Sequence, residues 1–106
     1  MQVSGRERLL NRRPSETFDF RCGCGTYTAT ISLFADNGVA EIFLSNNKAG
    51  SHLDHLARDA AILASIAFQC GAPVDVVRHA LQRDHLGRAI TPLGVALDYL
   101  AEIGGA

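Results

Sequence analysis

Hydrophobic periodicity changes once along this chain and does not change back, and that order restricts the folds open to it. From Ser15 to Arg21, the polar Thr17, Asp19 and Arg21 alternate with Phe18 and Phe20, the period of a half-buried strand. Cys22-Gly23-Cys24-Gly25 then reads as a turn. From Thr26 to Phe34, Tyr27, Ala29, Ile31 and Leu33 share one face and Thr26, Thr28, Thr30 and Ser32 the other, with many β-branched residues. Asp36-Asn37-Gly38 suits a tight hairpin because Asn and Gly tolerate positive φ. A third strand follows from Val39 to Leu44, with Glu41 among apolar neighbours. Three short strands joined by tight turns predict an antiparallel meander.

Beyond the polar loop Ser45-Asn46-Asn47-Lys48-Ala49-Gly50 the period becomes helical. Ser51 is placed to cap a helix, and Asp54 lies in its first turn, where the helix dipole favours a carboxylate. On this helix Asp54, Arg58, Ser65 and Gln69 fall in one narrow polar stripe, and nearly everything else after Asp59 is apolar. The expectation is a central helix buried over most of its circumference. Ala57, Ala60, Ala61, Ala64 and Ala67 would let a backbone approach closely, with Leu53 and Phe68 filling the ends and Cys70 a small core residue. Gly71 stops the helix, Pro73 starts a short one over Val74 to Arg83, and Thr91-Pro92 opens a third bearing Leu93, Ala96, Leu97, Leu100 and Ile103. The predicted fold is α+β: a three-stranded antiparallel meander followed by three helices packed on one face, βββααα.

At 106 residues this is one domain, expected over residues 15–104, with residues 1–14 as a flexible basic arm. The net charge of −1 conceals an asymmetry: Arg6, Arg8, Arg12 and Arg13 face Glu7 alone in the arm, so the remainder is acidic. Nucleic-acid binding is not expected of an acidic folded part, and only that arm could supply it. The three cysteines, Cys22, Cys24 and Cys70, are read as reduced thiols. No apolar run is long enough for a membrane span, and no signal peptide opens the chain, so the expected address is the cytoplasm.

Three constellations could carry chemistry. Lys48, Ala49, Gly50 and Ser51 end at a helix N-terminus, where amides, the dipole and one lysine could hold an anion or a nucleotide. They lack the full phosphate-loop pattern, so nucleotide hydrolysis is not implied. His52, His55 and Asp59 share a sector of the long helix and could hold a transition metal with Cys22 or Cys24, although a solvated helix start is the simpler account and no metal or other cofactor is expected. Cys24 beside His52 or His55 could be a nucleophile, but no orienting group or oxyanion hole accompanies it. Glu41 reads as the partner of an arginine such as Arg58 or Arg21.

The order of motifs over roughly residues 15–101 resembles the TSCPD domain. The resemblance rests on Cys24-Gly25-Thr26-Tyr27, Asp36-Asn37-Gly38, Glu41-Ile42-Phe43, Lys48-Ala49-Gly50-Ser51, Ser65-Ile66-Ala67 before Gly71, and Thr91-Pro92-Leu93-Gly94 with Ala96-Leu97-Asp98. That domain is known as a C-terminal module of adenosylcobalamin-dependent ribonucleotide reductases and as small stand-alone proteins, many of them alphaproteobacterial. The matching positions are Cys24, Gly25, Glu41, Lys48, Gly50 and Gly94, whereas Cys22 departs from the pattern. The reductases do their radical chemistry in a separate barrel that this chain is too short to contain, so the resemblance carries over no catalysis. The expectation is a non-catalytic interaction or regulatory domain that binds a protein partner or its own copy through a sheet edge and an apolar helical face; the resemblance implies only a link to ribonucleotide reductase. A homodimer is the favoured assembly, because a three-stranded sheet leaves two edges.

Overall fold

A computed structural model of the protein describes residues 14–23, 25–36 and 38–104. The elements follow the expected βββααα order: β1 (Ser15–Cys22), β2 (Gly25–Leu33), β3 (Val39–Asn46), α1 (His52–Gln69), α2 (Val74–Ala80) and α3 (Pro92–Gly104). The sheet is an antiparallel meander in the order β1-β2-β3, with Phe18 opposite Ala29 and Ala29 opposite Leu44. The arm's Arg6, Arg8, Arg12 and Arg13 lie outside the described residues, as does Cys24.

Alternation along the strands divides the sheet into two faces. One face carries Tyr27, Ala29, Ile31, Ile42 and Leu44, all buried. They are covered by Ala57, Ala61, Ala64 and Phe68 of α1 and by Leu93, Ala96 and Leu97 of α3. The small residues on α1 bring its backbone close to the sheet, as the alanine spacing predicts. Phe18 and Phe20 extend this layer toward β1, where Phe18 meets Tyr99 of α3 with ring centroids 4.2 Å apart and the rings tilted by 34°. The opposite face is polar apart from Phe43, which stands exposed opposite Thr30: Thr17 and Thr30 share a hydroxyl hydrogen bond of 3.0 Å, and Thr28 donates to Asp19 at 2.7 Å.

Both ends of α1 are built as the sequence leads one to expect. The Ser51 hydroxyl accepts from the Asp54 amide at 3.2 Å. At the other end Gly71, with φ +101°, lets its own N–H reach Phe68 O and the Ala72 N–H reach Ala67 O, the paired bonds of a glycine-terminated helix. Cys70 sits in that cap and is exposed, so it is not the core residue expected of it. Gly94 is needed for a close approach, since a Cβ there would lie 3.0 Å from the Ala89 methyl.

Two other expectations are corrected. The second helix stops at Ala80 rather than Arg83, because Arg83 pairs its backbone with Ala89 and turns its guanidinium to Asp98. Nor is α1 buried over most of its circumference. Leu53, Leu56, Ile62 and Leu63 are 46%, 53%, 54% and 69% exposed, so Leu53 fills no end of the core. The polar stripe faces inward instead, with Asp54, Ser65 and Gln69 buried against the sheet.

Candidate functional site

The inward polar stripe is explained by what β3 lacks. In an antiparallel ladder every second residue points its N–H and C=O away from the neighbouring strand, and on an edge strand those groups face nothing. On β3 they belong to Ala40, Ile42, Leu44 and Asn46, and α1 lies along them. The Ser65 hydroxyl accepts from Ile42 N–H at 2.9 Å and donates to Ile42 C=O at 3.0 Å. Gln69 Nε2 donates to Ala40 C=O at 3.0 Å, and Asp54 Oδ1 accepts from Asn46 N–H at 2.9 Å. At Ala40, Ile42 and Asn46, helix side chains therefore stand in for a fourth strand.

Asp54 also organises the loop that precedes α1. Its second oxygen accepts from Gly50 N–H at 3.0 Å and from Arg58 Nε at 2.9 Å. Gly50 reaches that position with φ +78°. The amides of Asn46 and Gly50, then the Arg58 guanidinium, hold the carboxyl at about 2, well below its ordinary value. The Lys48 N–H is taken by Asn46 Oδ1 at 2.9 Å and the Ser51 N–H by Lys48 C=O at 3.1 Å. Of the four residues expected to suit an external anion, Lys48, Gly50 and Ser51 thus have their amides engaged within the chain, and the internal Asp54 carboxylate sits where such an anion would bind.

The other candidates are dispersed. His52, His55 and Asp59 lie on the first turns of α1 with His55 and Asp59 exposed, and among the described residues no three His, Cys, Asp or Glu side chains gather as a metal site. Cys22 is half-buried, its thiol 3.6 Å from Ile90 C=O, and burial raises its pKa, which makes it a poor thiolate. Glu41 is half-buried and lines, with Arg58, a cleft of about 340 Å³ beside β3. The family-pattern glycine Gly25 is fixed by crowding: a Cβ would stand 3.0 Å from Asn46 Nδ2.

One cluster went unnoticed in the sequence. Asp98 of α3 receives both terminal nitrogens of Arg83, each at 2.8 Å, and Arg78 Nη1 at 3.1 Å. Arg83, then Arg78, keeps its carboxyl at about 2. Its sequence signal is a carboxylate set among the apolar residues that run from Leu93 to Ala101.

An apolar strip lies open on the outer side of α1. Leu53, Leu56, Ala60, Leu63 and Ala67 follow one another at intervals of 3, 4, 3 and 4, the seam that a second helix packs against. Beside it a cleft of about 300 Å³ is lined by Leu53, Leu56, Ala60, Leu81 and Pro92, with Tyr27 also on its wall.

The family model described as "TSCPD domain" matches residues 6–103. Proteins named vitamin B12-dependent ribonucleotide reductase, from Streptantibioticus cattleyicolor, Streptomyces clavuligerus and Streptomyces coelicolor, are each 33% identical over 70 residues. The match takes in 66% of this chain but 12% of the first relative and 7% of the other two, so the chain corresponds to a small part of each. No solved structure matches it. Among the described residues no helix is long and apolar enough to cross a membrane.

Proposed function

The chain belongs to the TSCPD domain family, and from that premise we propose that it is a non-catalytic interaction module whose outer α1 face docks on a ribonucleotide-reductase-type protein. The observation that carries this reading is the row of three leucines, Leu53, Leu56 and Leu63, standing 46% to 69% exposed on the longest helix. A contiguous apolar patch of this kind marks an interaction surface, and burying one such leucine contributes about 1.5 to 3 kcal/mol. The choice of partner is supported by the relatives, in which the matching segment is a minor part of a protein named as a reductase. The non-catalytic reading is supported by how the strongly shifted carboxylates are used. Asp54 and Asp98 are lowered, and their oxygens are occupied by backbone amides and arginines that hold the fold together.

Titration calorimetry of the protein against the vitamin B12-dependent ribonucleotide reductase of the same cell tests the reading. The expected result is micromolar or tighter binding that Leu56→Asp with Leu63→Asp weakens by about thirtyfold or more. No heat of binding, or an affinity indifferent to both substitutions, would sink it.

A further inference from the structure

β1 is the other edge of the sheet, and nothing in the described structure covers it. Because β3 turns Ile42 and Asn46 outward, the register turns Ala29 and Tyr27 of β2 toward β1, where they meet Phe18 and Phe20. The N–H and C=O groups of Thr17, Asp19 and Arg21 therefore point away from the sheet. Their side chains lie on its polar face, where Asp19 accepts from Thr28. This row is complementary to itself. If two copies of β1 pair antiparallel about a twofold axis at Phe20, Asp19 of each copy stands opposite Arg21 of the other, so the axis generates two opposite-charge pairs. On the other face the same axis sets the half-buried Phe20 rings side by side.

We propose that β1 pairs with β1 of a second copy in this register, joining two three-stranded sheets into one of six strands. The sequence favours this register over its neighbours. Moving the axis to Asp19 opposes two carboxylates, and moving it to Phe18 sets Asp19 against Thr17 and leaves Arg21 opposite Ser15. The surface is distinct from the outer face of α1, which lies over β3 at the far side of the sheet, so the inference does not depend on the reductase reading. A dimer of this kind would present two α1 faces.

Sedimentation equilibrium of the full chain over a wide concentration range is the test. The expected mass rises toward twice 11.4 kDa. Arg21→Asp and Asp19→Arg, each placing like charges opposite one another twice, should each raise the dimer dissociation constant by about tenfold or more. The double exchange Asp19→Arg/Arg21→Asp should return it close to the starting value. Both positions are exposed, so thermal melts of the variants should match the parent and separate lost association from lost folding. A protein that stays monomeric at millimolar concentration would overturn the proposal. So would a dimer insensitive to the single changes, or one that the double exchange fails to restore.

Discussion

The two edges of the sheet meet the same physical demand in opposite ways. Each edge strand turns every second N–H and C=O outward, and an exposed run of these groups is a template for pairing with another chain. At β3 the outward groups of Ala40, Ile42 and Asn46 are met within the chain by Gln69, Ser65 and Asp54, which α1 carries on its inward stripe. At β1 no helix among the described residues lies along the edge, and the outward groups are flanked by Asp19 and Arg21. The lesson is that α1 places polar residues inward because an edge strand needs donors and acceptors. Its leucines are thereby left on the outside.

If that contrast is right, disturbing the β3 edge should cost folding stability, and disturbing β1 should cost association alone. The largest effect is expected for Asp54→Ala, which removes the acceptor of Asn46 and Gly50 and the anchor of Arg58 together. Its thermal midpoint should fall further than that of Ser65→Ala or Asp98→Asn, with the loop before α1 losing amide protection. Ser65→Ala leaves the N–H and C=O of Ile42 buried without their shared hydroxyl, and urea unfolding should show a loss of about 2 kcal/mol.

A smaller effect follows from pH. Asp54 and Asp98 are both held at about 2 in the folded chain, below the ordinary carboxylate value of about 3.9. A lowered folded-state pKa stabilises above the unfolded value and loses that contribution as pH falls toward the folded one. Stability should therefore drop between about pH 4 and pH 2, and Asp98→Asn should flatten part of that drop in acid melts. The smallest change is expected for Leu56→Asp with Leu63→Asp on the outer face. Urea unfolding should move by about 0.5 kcal/mol or less for each, because both side chains already stand in solvent.

Much of this fold is legible in sequence because it depends on local chemistry. Alternation places Phe18 and Phe20 on the face opposite Thr17 and Asp19, and Ser51 and Gly71 bracket α1 through caps that need only their own neighbours. The direction in which α1 faces was not legible. A helical wheel groups Asp54, Ser65 and Gln69 but cannot say whether the stripe meets water or an edge strand, since that depends on where β3 lies. Hydrophobicity alone points the wrong way for Leu53. The Arg78–Arg83–Asp98 cluster escaped for a similar reason: it joins residues 15 and 20 positions apart through a turn whose course is set by the Arg83–Ala89 bridge. The amides after Lys48 looked ready for an external anion, and it took the tertiary fold to show Asp54 among them.

Amide hydrogen exchange, followed residue by residue at two protein concentrations, tests the contrast between the edges most directly. The account predicts that the outward amides of Ile42 and Asn46 are protected equally at both concentrations. Those of Asp19 and Arg21 should exchange freely in dilute protein and become protected as concentration rises. Fast exchange at Ile42 and Asn46, or protection at β1 that does not change with concentration, would contradict it.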